Sequence, residues 1–314
     1  MVEKSRKYYA VFGKPILHSL SPQLYNALFR EERVNACYTR IHASTGKAVC
    51  EIIKALGLSG ANITTPFKEE VIPCMDRLSP GASEISAVNT VINDNGKLTG
   101  HNTDPDGITG SLMEAGVDPS GRRCLVMGAG GAGKAAAKGL MDAGAEVLLA
   151  NRNPARALEF AAKTGCRCAG LDKAAEKLKE FEIIVLTLPP GVFPFDPEQV
   201  SSDVVIVDAN YRSPAGRGES HNFSGRIISG DRWLLHQAVG AYRLYTGKEA
   251  DISVMEKGFN EKLDPDNLTI KTITRQSVPE LIDHAVDMLV DGRNIDHKLI
   301  KEIIDEEKNK AFRG

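Results

Sequence analysis

The stretch RRCLVMGAGGAGKA, residues 122–135, decides the fold of this chain. The apolar run RRCLVMG predicts a buried strand, and the glycine-rich GAGGAG follows it directly. A helical pattern begins near Lys134, so Gly128, Gly130 and Gly133 have the spacing of the dinucleotide-binding fingerprint between a strand and a helix. Backbone amides at such a helix start bind a pyrophosphate. We therefore expect a dinucleotide site here and disfavour the alternative, a tight turn with close helix packing.

Strand and helix patterns continue to alternate after this loop. EVLLAN, EIIVLTL and DVVIVDA predict buried strands at 146–151, 182–188 and 203–209, with helical segments rich in alanine and lysine between them. This alternation is typical of an α/β fold with largely parallel strands.

The residues at the end of the strand EVLLAN and just after it favour one nicotinamide cofactor. An acidic residue there binds a ribose hydroxyl, whereas this chain has Asn151, Arg152, Asn153 and Arg156. Two guanidinium groups favour the 2′-phosphate of NADP. The alternative is a solvated arginine pair, but the start of a helix disfavours cations, so we prefer the anionic ligand.

The first part of the chain shows the same kinds of pattern. YYAVFG predicts a strand at 8–13, and SPQLYNALFREE predicts a helix with Ser21 as N-cap and Pro22 as its first residue. The further expected elements are an amphipathic helix through Val49, Ile52, Ile53 and Leu56, the strands GANIT and AVNTVIND, a hairpin turn at 93–96, and a helix from Leu234 to Tyr245.

The segment GANITTPFKEE, residues 60–70, contains a candidate catalytic lysine. Reduction of a ketone by hydride needs a proton donor at the developing alkoxide, and Lys68 has the chemistry for it. Asp104 is a candidate carboxylate to orient the amine and balance its charge. Taken singly, each has a plainer interpretation, Lys68 as a surface lysine and Asp104 as a turn aspartate before Pro105.

Polar side chains near this lysine suit a ligand with several hydroxyl groups. They are Ser19, Ser21, Asn62, Thr64, Asn89 and Asn102. The plainer interpretations are helix capping for Ser21 and strand-end hydrogen bonding for the others. His18 and His101 are interpreted as bystanders, and no histidine or cysteine spacing suggests a metal.

Composition narrows the class of protein. The chain has 314 residues, of which 42% are hydrophobic and 25% charged, and its formal net charge of −2 gives no basic field for nucleic acid. No apolar run is long enough to predict a membrane span or a signal peptide. Six scattered cysteines are expected to be reduced thiols in a cytoplasmic protein.

These patterns together predict a two-lobed α/β protein with an added C-terminal helical segment. The substrate and catalytic lobe comprises residues 1–110 and a returning helix in 234–255, and a Rossmann-type lobe for NADP comprises 111–233. Residues 256–314 predict a helical hairpin with a capping box before its first apolar stripe.

A series of motifs resembles the shikimate dehydrogenase family, over roughly residues 8–255. The motifs, in the order and spacing of that family, are VFGKPILHSLSP, GANITTPFKEE, SAVNTV, NTDPDG, GAGGAGKA and NRNPARA. The resemblance implies NADP-dependent interconversion of 3-dehydroshikimate and shikimate, on the chorismate route to aromatic amino acids, by a cytoplasmic monomer or homodimer.

The resemblance also implies roles for particular residues. Lys68 and Asp104 are the catalytic pair, and the substrate contacts are Ser19, Ser21, Asn62, Thr64, Asn89, Tyr211 and Gln237, with Asn62 supporting the pocket. The cofactor contacts are Gly128, Ala129, Gly130, Gly131, Ala132, Gly133, Asn151, Arg152, Asn153 and Arg156.

The sequence departs from the family pattern mainly in its second half. LTLPPGV replaces a small threonine-rich loop at 186–192, and SGDRWLL places Arg232 where the family has glycine, where it either obstructs the nicotinamide or contacts a carboxylate. Two alternatives follow from these changes. One is a dehydrogenase that prefers quinate, and the other is a shikimate-binding relative that has lost hydride transfer.

Overall fold

The chain folds into α/β structure with two sheets, in two compact units. A computed structural model describes residues 6–16, 18–189, 192–210 and 224–259. The described parts of unit 1 are residues 6–16, 18–79, 88–101 and 241–259, and unit 2 takes 80–87 and the described residues of 102–240. The α/β prediction is confirmed.

Unit 1 is built on a mixed sheet. Its strands are β1 (Lys7–Gly13), β2 (Ala36–His42), β3 (Gly60–Ile63), β4 (Arg77–Leu78), β5 (Thr90–Asp94) and β6 (Lys97–His101), in the spatial order β2-β1-β3-β5-β6-β4. Helices α1 (Ser21–Glu31), α2 (Gly46–Ala55) and α9 (Ile252–Phe259) belong to this unit.

The pairing of these strands determines which loops meet. β1 is parallel to β3, with Phe12 opposite Ile63, so the two strands end at the same edge of the sheet. β5 is antiparallel to β3, with Asn62 opposite Thr90, so β5 begins where β3 ends. The chain after β1, the chain after β3 and the chain before β5 therefore converge at one edge.

Unit 2 is built on a sheet whose described strands are all parallel. They are β7 (Arg123–Met127), β8 (Glu146–Asn151), β9 (Arg167–Gly170), β10 (Ile183–Leu186), β11 (Val205–Asp208) and β12 (Arg226–Ile228), in the order β12-β11-β10-β7-β8-β9. Its helices are α3 (Pro80–Ile85), α4 (Asp104–Glu114), α5 (Gly131–Asp142), α6 (Ala155–Thr164) and α7 (Leu171–Ala175), and α8 (Gly230–Thr246) passes into unit 1 at Ala241.

The central strands of unit 2, β7 and β10, are buried except for Arg123 at the start of β7, as expected for a parallel sheet covered on both faces. Leu125 and Ile184 belong to one apolar cluster, and Val126 and Val185 belong to another, so successive residues of each strand point to opposite faces. Gly107 lies so close to Trp233 that an added Cβ would be 2.3 Å from the indole, which brings α4 and α8 together within this unit.

Three predicted helix starts need correction. Ser21 is the first residue of α1 rather than its N-cap, because the carbonyl of Leu20 accepts the first helical amides and no side chain caps the helix. α5 begins at Gly131, before Lys134, since the glycines hide the helical pattern. α8 begins at Gly230 instead of Leu234.

Some expectations lie outside the described residues. They are the position of Tyr211, the centre of the LPPG loop at 190–191, and the C-terminal hairpin after residue 259. In the part of the chain that the structure describes, no helix is long and apolar enough to cross a membrane. The same residues contain no cluster of His, Cys, Asp and Glu suited to a metal ion.

Candidate active site

The first half of the site lies at the strand-end edge of the unit 1 sheet. Two hydrogen bonds join the end of β1 and the residue that follows it to the chain after β3, from Thr64 N to Phe12 O at 2.9 Å and from Lys14 N to Thr65 O at 3.0 Å. Gly13 allows this approach, because an added Cβ would be 2.6 Å from the Thr64 methyl. The parallel pairing of β1 and β3 thus brings two predicted polar clusters side by side.

Lys68 lies on a tight helical turn, residues 64–74, which we call the lysine segment. Two residues of this segment, Phe67 and Val71, are buried and anchor it to unit 1. The backbone carbonyl of Lys68 itself accepts the amide of Val88 at 2.8 Å. Lys68 itself is half-buried.

Asn62 is the centre of a buried hydrogen-bond network. Its Oδ1 accepts from Tyr38 Oη at 2.6 Å and Tyr245 Oη at 3.0 Å. Its Nδ2 donates to Asn89 O at 3.2 Å and to Thr90 Oγ1 at 3.0 Å, and Thr90 in turn donates to Asn89 Oδ1 at 2.9 Å. Protein groups occupy all four hydrogen-bonding positions of the Asn62 amide. Asn62 therefore fixes the position of Asn89 and of the strand end.

The two tyrosines of this network are permanent donors at neutral pH. Burial raises the pKa of Tyr38 and of Tyr245 well above the usual value for a phenol. Tyr38 stacks on Tyr25 with ring centroids 4.3 Å apart, and Tyr245 lies 4.6 Å from Tyr9. These ring contacts hold the two tyrosines so that each hydroxyl points toward Asn62.

Replacing Asn62 with Ala is expected to lower the free energy of unfolding by about 3 kcal/mol, because it leaves buried hydroxyl groups without partners. Tyr38→Phe is the graded control, since it removes one donor and leaves the second, and should cost about 1 kcal/mol. Urea unfolding of both variants beside the parent measures the two effects. An Asn62→Ala protein as stable as the parent would show that the network does not stabilise unit 1.

Ser19 and Ser21 form a small hydroxyl pair at the same edge. Ser19 Oγ donates to Ser21 Oγ at 3.2 Å, and both residues are buried. Arg40, also buried, donates from Nε to Ser19 O at 2.6 Å and from Nη2 to Gln23 Oε1 at 2.7 Å. The hydroxyl of Ser21 makes no helix cap, so this plainer interpretation does not account for it.

Asp104 begins α4 in unit 2. Its amide donates to Asn102 Oδ1 at 3.0 Å, and Asn102 Nδ2 donates to Ala87 O at 2.9 Å, which fixes the turn before the helix. Asp104 is 5% exposed and lies in the first helical turn, where the helix dipole favours negative charge. Thr103, beside it, donates to Gln237 Oε1 at 3.5 Å, so the substrate residue predicted on α8 lies near this helix start.

Two glycines of the glycine loop lie very close to neighbouring atoms. Gly128 has φ +111, and an added Cβ at Gly133 would be 1.8 Å from Gly128 O, so neither position admits a side chain. Thr187 Oγ1 donates to Met127 O at 2.9 Å and holds the loop from β10. At Gly130 a Cβ would meet nothing within 4 Å, so the loop leaves open space at the start of α5.

The end of β8 joins this loop to the predicted phosphate residues. Ala129 N donates to Asn151 Oδ1 at 3.3 Å, and Asn151 Nδ2 donates to Asn153 O at 2.8 Å. Arg152 and Arg156 are exposed, and the first turn of α6 contains no acidic residue. The asparagine therefore positions the glycine loop, and the arginines remain accessible to an anion.

Arg232 has a carboxylate partner within unit 2. Its Nε donates to Glu114 Oε2 at 2.6 Å, its Nη2 also bonds Glu114, and His236 Nε2 lies 3.3 Å from the same carboxylate. Hydrogen bonding from Arg232 holds the pKa of Glu114 below its usual value. Of the two sequence interpretations for Arg232, the structure shows the contact with a carboxylate.

The sequence did not identify several residues that hold the site. Arg40, Thr90 and the two tyrosines around Asn62 act as supports. The available signal in the sequence is a charged arginine in the middle of the strand ACYTRIH, where it is buried with its neighbours. His101 was interpreted as a bystander. Burial lowers its pKa, so its ring stays neutral at physiological pH.

Comparison with known proteins agrees with both units. Residues 11–91 match the shikimate dehydrogenase substrate binding domain, and residues 123–211 match the family described as NADP oxidoreductase, coenzyme F420-dependent. The chain is 35% identical over 284 residues to the NADP-dependent shikimate dehydrogenase of Moorella thermoacetica, which covers 83% of this chain and 95% of the relative.

Solved structures give the same result. Shikimate dehydrogenase from Aquifex aeolicus matches with a TM-score of 0.75 at 34% identity, over 83% of this chain and 100% of that chain. The Thermus thermophilus enzyme in complex with NADP(H) and shikimate matches with a TM-score of 0.70 at 32% identity, over 81% and 98%. Fold and glycine loop define a nicotinamide-dependent α/β oxidoreductase. The chain belongs to the shikimate dehydrogenase family.

Proposed function

We propose that this protein catalyses the reversible NADPH-dependent reduction of 3-dehydroshikimate to shikimate. The observation that carries the proposal is family membership over 83% of the chain, including the segment with Lys68. The reaction belongs to the chorismate pathway, and we place the protein in the cytoplasm as a monomer or homodimer.

The residues of unit 2 fit NADP. The space at Gly130 is open, and no side chain of the described residues caps the start of α5. The first amides of this helix are therefore suited to bind a pyrophosphate. Exposed Arg152 and Arg156 suit the 2′-phosphate, with Asn151 and Asn153 fixing the loop between them. Bound NADPH supplies the hydride for the reaction.

Lys68 supplies the proton in this proposal. When the substrate carbonyl becomes an alkoxide, the Lys68 ammonium donates a proton to its oxygen, and in the oxidative direction the amine takes that proton back. The buried backbone contacts of the lysine segment restrict where the amine can lie. In this proposal Asp104 is the carboxylate partner that orients the amine of Lys68 and balances its charge.

The polar groups of the sheet edge bind the substrate in this proposal. Ser19 and Ser21 offer two adjacent hydroxyls, and Thr64 and Asn89 offer a hydroxyl and an amide beside them. Such donors and acceptors suit a ring that bears a carboxylate and several hydroxyls. Gln237 adds an amide from α8, and Asn62 acts through Asn89 rather than by direct contact.

Neither alternative from the sequence is preferred. The binding-protein alternative depended on Arg232 and on the LPPG loop together. The bidentate pair with Glu114 gives that guanidinium another role, and residues 190–191 of the loop lie outside the described residues. The quinate alternative depends on the altered loops alone.

Purified protein with shikimate and NADP is expected to produce the absorbance of reduced nicotinamide, with higher kcat/KM for shikimate than for quinate. NAD in place of NADP should give lower kcat/KM, because it leaves Arg152 and Arg156 without the phosphate. Steady-state kinetics with both substrates and both cofactors measures these ratios. Absence of turnover at every pH would refute the proposal, and a preference for quinate would support the other substrate.

A further inference from the structure

One face of α2 follows the lysine segment along its length. Gly46, Cys50 and Lys54 are each four residues apart, so they lie on the same side of the helix. At the start of the helix, Gly46 N donates to Glu70 Oε2 at 2.9 Å. An added Cβ at Gly46 would be 2.5 Å from Glu70 Cβ, so backbone and segment touch directly.

The far end of the same helix face contacts the residue just beyond the segment. Lys54 Nζ lies 3.9 Å from Asp76 Oδ2. Asp76 is fixed in turn, because its Oδ2 accepts from Leu98 N at 2.7 Å and its own amide donates to Leu98 O at 2.8 Å. The helix face and the chain after Lys68 are therefore held together at both ends.

Two thiols lie between these contacts. Cys50 occupies the middle position of the helix face, and Cys74 ends the short 3₁₀ turn between Glu70 and Asp76. The contacts at Gly46 and Lys54 flank the two cysteines, and the Cys50 and Cys74 thiols lie within hydrogen-bonding distance of each other. Burial, and then the neighbouring Cys74 thiol, raise the pKa of the Cys50 thiol well above its usual value. Cys50 is buried, whereas Cys74 is half-buried and open to a small oxidant.

We propose that Cys50 and Cys74 are a reversible thiol–disulfide pair that links α2 to the lysine segment. A hydroperoxide is the oxidant. The Cys74 sulfur attacks the peroxide, the O–O bond breaks, and Cys74 becomes a sulfenic acid while the peroxide is reduced to an alcohol or water. The Cys50 sulfur then displaces the sulfenic oxygen as water and forms the disulfide. Two thiols thus lose two electrons and two protons.

Formation of the disulfide is expected to shift Lys68, because two backbone hydrogen bonds connect Cys74 to the residue before it. Cys74 N donates to Val71 O at 3.0 Å, and Val71 N donates to Phe67 O at 3.1 Å, so a displacement at Cys74 is transmitted to the residue before Lys68. A shift of about 1 Å in a positioned catalytic group can lower turnover roughly a hundredfold. This consequence for turnover depends on the proposed function, whereas the disulfide itself does not.

The test oxidises the full-length reduced chain with stoichiometric hydrogen peroxide, blocks remaining thiols by alkylation and maps peptides by mass spectrometry without reductant. We expect a linked peptide containing Cys50 and Cys74, with the loss of two hydrogen atoms, that dithiothreitol separates. Cys74→Ser should abolish the link, and Cys50→Ser should leave Cys74 to oxidise further. Cys124→Ser, which removes another buried thiol, is the matched control and should keep the link.

Two results would overturn the proposal. One is a Cys74 peptide carrying sulfinic acid with Cys50 still free, and the other is a link between Cys166 and Cys168 with none at Cys50. Turnover of the oxidised parent is expected to fall at least tenfold and to return on reduction, and unchanged turnover would refute the effect on Lys68. A reduced parent that never turns over refutes the proposed function, while the peptide map still decides the disulfide.

Discussion

Lys68→Ala is expected to lower kcat for shikimate oxidation by roughly 10²–10⁴-fold, the usual contribution of general acid–base catalysis. KM should change little, because the proposed role of the amine is in the transition state and the hydroxyl-binding groups remain. Steady-state kinetics gives both constants, and equilibrium binding of shikimate to the variant gives the affinity separately.

Lys47→Ala is the matched control for that experiment. Lys47 lies on α2 in the same unit, its side chain is 80% exposed, and it pairs only loosely with Glu51 at 3.8 Å. It should keep the kcat of the parent. If Lys68→Ala retained kcat within a factor of about ten, another group would have to supply the proton, and the assignment of Lys68 would be wrong.

Long periodic segments made much of the fold predictable from the sequence. The strand, glycine loop and helix around Gly128 are present in the predicted order, and β8 has the predicted bounds, Glu146–Asn151. In such segments every residue of a strand, or one face of a helix, is buried, so the pattern of apolar residues indicates which element forms. β4, β9 and β12 have two to four residues each, too few to show a period, and pairing with neighbouring strands determines them.

The candidate site was predictable only in part. Asn62 and Asn89 stand out because these polar residues interrupt the apolar runs GANIT and AVNTVIND, and Lys68 stands out as the cation that follows the first run, beyond Pro66. The partners that hold them do not, since Tyr245 is 183 residues from Asn62 in sequence and only tertiary structure joins their side chains. Arg232 illustrates the same limit. The sequence left two interpretations open, and the choice between them depended on Glu114, 118 residues away.

Gly133→Ala is expected to abolish detectable NADP binding and to destabilise unit 2. A Cβ at this position would be 1.8 Å from Gly128 O and 2.8 Å from Thr187 Oγ1, so the loop must move away from the start of α5. That displacement separates the helix amides from the turn that directs the pyrophosphate toward them. Titration of NADP by calorimetry measures the affinity, and thermal unfolding measures the stability.

Gly130→Ala separates the effect on the ligand from the effect on the fold. Gly130 has φ −80 and ψ −177, which any residue adopts, and an added Cβ would meet no protein atom within 4 Å. We therefore expect unchanged stability but at least tenfold weaker NADP binding, because the methyl group occupies the space proposed for the pyrophosphate. Full NADP affinity in Gly130→Ala would show that the pyrophosphate lies elsewhere. If the loop is a phosphate site, both variants should bind NADP weakly and only Gly133→Ala should be less stable than the parent. If the loop is a turn that only packs a helix, Gly130→Ala should bind NADP as the parent does.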